Sequence, residues 1–105
     1  MAEIIWTGPA KRDLEEIIGH IAFHNPTAAS RVAKRITTHV RQLKKHPLSG
    51  SCPPEVEGGE IRQLVQAPCR IFYKVVGKRV YILHVLRFER LFKASRIQDV
   101  SDDIS

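Results

Sequence analysis

The sequence predicts an α+β domain: an N-terminal strand, an antiparallel helical hairpin packed on an antiparallel β-sheet, and a short C-terminal helix. Three observations predict it. Two segments of helical periodicity fill the first half of the chain, separated only by Asn25-Pro26. Three strand-like runs fill the second half, the last two joined by Gly77-Lys78. The length, 105 residues, is that of one domain with a modest core, so residues 1–105 are expected to fold as one unit.

Each element has a local reason. Glu3-Ile4-Ile5-Trp6 is short and apolar, as a first strand requires. Thr7 stands at a helix N-cap position and Pro9 near the first helical residue, where a missing N–H is harmless. Ala10, Leu14, Ile17, Ile18 and Ile21 then recur at helical spacing. Asp13, Glu15 and Glu16 fall early in that helix, where its dipole favours acids. The helix is expected from about Pro9 to Phe23 and is broken at Asn25, because a residue before proline avoids helical geometry. Thr27 is the expected cap of a second helix, with an apolar stripe of Ala28, Ala29, Val32, Ile36, Val40 and Leu43. Its other face carries Arg31, Lys34, Arg35, Arg41, Lys44 and Lys45, and His46-Pro47 ends it. So short a link between helices implies an antiparallel pair.

From Pro47 to Gly59 the composition turns to Pro, Gly, Ser and Glu, a surface loop that includes Cys52-Pro53-Pro54. Strands are expected over Ile61 to Gln66, Cys69 to Val76 and Arg79 to Leu86, the last two antiparallel around Gly77-Lys78. A final helix is expected from about Glu89 to Ile97, then an acidic tail, Asp99 to Ser105, that frays.

Composition narrows the function classes. Hydrophobic residues make up 43% and charged residues 27%, ordinary for a soluble globular protein. Seventeen Lys and Arg against eleven Asp and Glu give a net charge of +6. That excess favours an anionic partner, whether RNA, DNA or an acidic protein segment; a solvated basic face is the plainer alternative. No apolar run approaches the roughly 18 residues of a membrane span, and Met1 to Gly8 lacks a secretory-signal layout, so a cytoplasmic protein is expected. Cys52 and Cys69 are too few for a disulfide framework and are expected as reduced thiols. His20, His24, His39, His46 and His84 are scattered, so neither metal nor cofactor is expected.

Particular residues go beyond this outline. Ile5-Trp6-Thr7 followed by Ala10 and Asp13-Leu14, then Asn25-Pro26 with Ala28-Ala29, then Pro47-Leu48-Ser49-Gly50, occur in that order. Arg62-Gln63-Leu64-Val65 leads to Pro68-Cys69-Arg70-Ile71-Phe72-Tyr73, and Val80 to Leu86 follows. From about Ile4 to Arg90 this succession resembles the ParE/RelE superfamily, small bacterial toxins of plasmid-stabilisation and toxin–antitoxin systems. The resemblance implies a RelE/ParE-like fold and a toxin of a type II system. Its implied partner is a cognate antitoxin, of ribbon–helix–helix type, in a hetero-oligomer. An acidic, apolar antitoxin segment would fold onto the toxin, with Leu14, Ile18, Ile21, Val32, Ile36 and Val40 receiving it.

The departures choose a branch. The RNA-cleaving RelE branch carries a lysine pair on the Arg62 strand, where Gln63 and Gln66 stand here, and a C-terminal Tyr that is missing. Arg87 stands where many ParE-like sequences have His. The resemblance therefore leans to ParE, whose known members poison DNA gyrase, with Arg62, Arg70, Arg87 and Arg90 as target-binding residues. The enzymatic alternative, a ribosome-dependent mRNA endoribonuclease, needs a base, an acid and cations for the phosphorane charge. Arg70, Arg87 and Glu89 would then be the catalytic candidates. His84, flanked by Leu83 and Val85, reads as a packed histidine. Arg70 is either functional or half of an ion pair with Glu55, Glu57 or Glu60. A degenerate, non-toxic antitoxin binder is the third expectation.

Overall fold

The computed structural model describes residues 1–89 and 94–104. The chain runs β1 (Glu3–Trp6), α1 (Gly8–His24), α2 (Pro26–Arg41), a 3-10 turn (Gln42–Lys44), β2 (Ile61–Gln66), β3 (Cys69–Val76), β4 (Arg79–Arg87) and α3 (Ala94–Ile104). The strands make one sheet in the order β1-β4-β3-β2. β2, β3 and β4 form the expected antiparallel meander. β1 adds to it parallel to β4, with Glu3 opposite Arg79 and Trp6 opposite Ile82, so the whole sheet is mixed.

A single residue makes the helical corner. Asn25 is extended (φ −156°, ψ 95°), donates its N–H to Ile21 O at 2.8 Å, and accepts the Ala28 N–H on Oδ1 at 3.0 Å. It therefore ends α1 and caps α2 at once, the role the sequence suggested for Thr27. An Asn side chain is the better acceptor there, and Pro26 fits the first helical position. α2 gives way to the 3-10 turn at Gln42, a few residues before His46.

The hairpin covers one sheet face. Ala10, Ile17, Ile36, Val40 and Leu43 meet Leu64, Cys69, Ile71, Tyr73, Val80, Ile82 and Val85 there, with Trp6 half-buried at the margin. The other face is covered by α3, whose Ile97 is buried with Ile61, Phe72 and Leu83. Here the structure departs from the expected tail. Asp99 to Ile104 are the later turns of α3, because Val100 and Ile104 continue the apolar stripe of Ile97 onto the sheet. Part of the segment expected as a helix, residues 90–93, lies outside the described residues.

The helical N-terminus also clamps a β-bulge. Between β3 and β4 the register slips, so that Phe72 faces His84 while Tyr73 faces Ile82, leaving Leu83 as the extra residue. Thr7 Oγ1 donates to Ile82 O at 2.6 Å and accepts the Ala10 N–H at 3.3 Å. Asp13 Oδ2 accepts the Val85 N–H at 3.0 Å and lies 2.6 Å from His84 Nδ1. Backbone groups displaced by a bulge need new partners, and the first two turns of α1 supply them.

Candidate functional site

The end of the sheet formed by the start of β3 and the end of β4 holds two of the arginines singled out in the sequence, Arg70 and Arg87. Arg70 lies opposite Leu86, and Cys69 opposite Arg87. Strand alternation sends Arg70 and Arg87 to opposite faces. Arg70 shares its face with Phe72, and its guanidinium sits 4.9 Å from that ring's centroid. It is held from both sides. Nη1 and Nη2 donate to the two oxygens of Glu55 at 2.8 and 2.9 Å, and Nε donates to Gln63 Oε1 at 2.8 Å. The two-pronged geometry is the strong form of this interaction. The Arg70 hydrogen bond holds the Glu55 carboxyl below the ordinary carboxylate range, more than burial raises it.

Further along the same face, Lys74 is 1% exposed. Its Nζ donates to Ser101 O at 2.8 Å and to Glu60 Oε1 at 3.2 Å. Ser101 O belongs to the last turn of α3, where carbonyls have no partner in the helix and the dipole favours a cation. The loop from Ser51 to Glu60 thus places one carboxylate on each of the two cations of this face.

Arg87 leans the other way, towards α1, and lines a hollow of about 310 Å³ with Glu16, Ile17, His20 and Glu89. Its Nε is 2.7 Å from Glu89 Oε1, an ion pair by distance. The angle makes no hydrogen bond, so the buried Nε–H has no acceptor among the described residues. Arg62 lies towards the far end of β2, opposite Tyr73. Its Nη1 donates to Leu48 O at 3.3 Å and Gly50 O at 2.8 Å. The Gly50 N–H donates to the buried Tyr73 hydroxyl at 2.9 Å, and burial pushes that phenol's pKa up. A Cβ at Gly50 would stand 2.6 Å from both Gln63 O and Tyr73 Oη, so only glycine passes there.

The predicted residues therefore do not converge. Arg70 and Arg87 share one sheet end on different faces, Arg62 sits apart, and Arg90 lies outside the described residues. Of the apolar residues assigned to a partner, Ile36 and Val40 are 0% and 2% exposed. They face the sheet and already belong to the core, so a partner cannot reach them. Leu14, Ile21 and Val32 are half-buried at its margin, and Ile18 is half-buried as well. Both cysteines are free, Cys52 exposed and Cys69 buried, and burial pushes the Cys69 thiol's pKa up.

Sequence reasoning missed the Asp13–His84 pair and the Lys74 anchor. A signal for the second existed: Lys74 alternates with Phe72 and Arg70 and so shares their face. Nothing local connects Asp13 to a strand so distant in sequence.

Helical hairpin, mixed sheet and covering helix together define an α+β fold that known toxin–antitoxin structures share. The chain superposes on one chain of a structure of the chromosomal ParDE toxin–antitoxin system of P. aeruginosa with a TM-score of 0.72 at 28% identity, covering 85% of this chain and 98% of that one. It shares the fold of a chain of the RelBE2 toxin–antitoxin complex of Mycobacterium tuberculosis, with a TM-score of 0.57, 20% identity, and 82% and 96% covered. Toxin RelE2 of Caulobacter vibrioides is 32% identical over 92 residues, spanning 87% of this chain and all of the relative. Residues 4–92 match the family described as the ParE toxin of the type II toxin–antitoxin system parDE, and the chain belongs to that family.

Proposed function

We propose that this chain is a growth-arresting toxin that acts on DNA gyrase by protein–protein contact, as one toxin domain. A cognate antitoxin of ribbon–helix–helix type neutralises it in the cytoplasm within a hetero-oligomer, as part of a plasmid-stabilisation or similar module. The observation that carries this reading is the engagement of Arg70. Its guanidinium, a candidate for stabilising a phosphorane, is gripped by Glu55 and Gln63. Such a cation serves a scaffold more readily than a transition state that needs free positive charge. Family membership over residues 4–92 points the same way. The antitoxin partner is supported by the likeness to the P. aeruginosa structure, which is a ParDE toxin–antitoxin system.

One observation favours the nuclease reading instead, the 32% identity to a relative named Toxin RelE2. Under it, Arg70 would exchange Glu55 for phosphate and would act without Arg87, which points to the other face of the sheet.

Induction in a bacterial host separates the two. Growth arrest with altered supercoiling, gyrase-linked DNA breaks and intact mRNA is the expected result. Arrest with transcripts cut at ribosome-bound codons overturns the gyrase reading, and an expressed, folded chain that arrests nothing marks a degenerate antitoxin binder.

A further inference from the structure

Charge is distributed unevenly along this chain. Between Glu16 and Glu55 the sequence contains no Asp or Glu, yet it holds six of the seventeen Lys and Arg. Outside that segment, eleven basic residues face eleven acidic ones, so the entire +6 resides in it. The structure turns the segment into a surface. Arg31, Lys34, Arg35 and Arg41 are exposed along α2, and Lys44 and Lys45 extend the row through the 3-10 turn and just beyond. Among the described residues, none of the six forms an ion pair with a carboxylate.

The helical repeat puts Arg31, Lys34, Arg35, Thr38, Arg41 and Gln42 on one stripe, opposite the buried Ala29, Ile36 and Val40. From Arg31 to Arg41 the stripe is about 15 Å long. It contains no apolar side chain, no aromatic and no acid. Beside it, between α2 and the end of β2, lies a hollow of about 510 Å³ lined by Arg31, Lys34, Arg35, Thr38, His39 and Gln66, among others. His39 Nδ1 sits 3.1 Å from Gln66 Oε1, fixing its wall.

We propose that this face docks on the phosphate backbone of double-stranded DNA. The chemistry of the stripe selects the occupant. An acidic protein segment that folds on binding needs apolar contacts as well as charge, and the stripe offers charge alone. Single strands bind on aromatic platforms, and the stripe has none. A duplex backbone requires only cations and hydrogen-bond donors in a row, since phosphate contacts position a protein without reading sequence. Choosing DNA over duplex RNA rests on the gyrase reading proposed above, whereas the docking face itself stands on the charge distribution.

The test is fluorescence anisotropy with the full chain and a labelled DNA duplex of about 20 base pairs, titrated from about 50 to 200 mM salt. Binding is expected at low salt with steep salt dependence. The variant Arg31→Glu/Lys34→Glu/Arg35→Glu should bind at least about tenfold more weakly, with a log–log salt slope shallower by about 2.7. A variant of equal net charge, Lys11→Glu/Lys78→Glu/Arg79→Glu, alters exposed cations elsewhere and should stay within about threefold of the parent. Triple alanine substitution at the α2 positions, which favours the helix, guards against misfolding and should lose roughly half the logarithmic effect.

Equal losses in both charge-reversal variants would reduce the face to a net-charge effect and overturn the proposal. Absence of duplex binding at low salt would overturn it too, as would a polyglutamate peptide held by α2 in its place. Tighter binding to an RNA duplex of the same length would overturn the choice of DNA. Because no topoisomerase is present, these outcomes are independent of the growth and supercoiling assay.

Discussion

The cations of α2 and the cations of the sheet's second face follow opposite rules. Along α2 and the 3-10 turn that follows it, six basic side chains stand in solvent with no carboxylate within reach among the described residues. On the sheet, Lys74 is withdrawn from water and Arg70 is partly so, and each takes a carboxylate from the same short loop, Glu60 and Glu55. A charge that leaves water needs a partner, so the second pair behaves as structure. A charge left in water keeps its field for something else, and the α2 row is the part of the surface that an anion senses. Counting Lys and Arg treats the two groups alike; their surroundings separate them.

The largest effect is expected where a carboxylate supports the bulged backbone of β4. Asp13→Ala removes the acceptor of the Val85 N–H and the partner of His84 at the bulge. A loss of about 2–3 kcal/mol is expected by urea denaturation, and a change below about 0.5 kcal/mol would show that the bulge holds itself. Next comes the buried lysine. Lys74→Met keeps the apolar stem but leaves Ser101 O without its donor, and about 1–2 kcal/mol should be lost, with α3 amides exchanging faster.

The exposed ion pair should matter less and should depend on pH. Glu55 titrates below its ordinary range in the folded chain, so it contributes stability above the unfolded-state value. That contribution fades as acid protonates the folded carboxylate. Glu55→Gln should therefore cost under about 1 kcal/mol near neutrality, after solvent screening, and nothing in strong acid. A variant whose urea midpoint stayed equally low at both ends of the pH range would contradict this account. Smallest of all is Lys34→Met on α2, which should leave stability within about 0.5 kcal/mol of the parent. Were it to match Lys74→Met, the two cation classes would be one.

Much of this arrangement could be read in the sequence, and the exceptions share a cause. β1, β2 and β3 fall where alternation and composition put them, and Gly77, at φ +59°, makes the turn that only glycine takes easily. Four features escaped: the bulge at Leu83, the tie from Asp13 to Val85, the parallel docking of β1, and the placement of α3. Each depends on partners far apart in the chain, whereas periodicity reports only neighbours. Acidic residues between Ile97, Val100 and Ile104 made a packed helix resemble a solvated tail. At the candidate site, composition could name Arg70 and three possible acids, but only the folded loop selects Glu55.

The parallel pairing of β1 with β4 carries a consequence for synthesis. Glu3 to Trp6 leave the ribosome long before their hydrogen-bonding partners, Arg79 to Ile82. Local hairpin contacts form early in a nascent chain, whereas pairings that close so long a loop wait for both ends. A polypeptide released before Arg79 holds α1, α2 and the start of the meander, but has no strand against which β1 can lie.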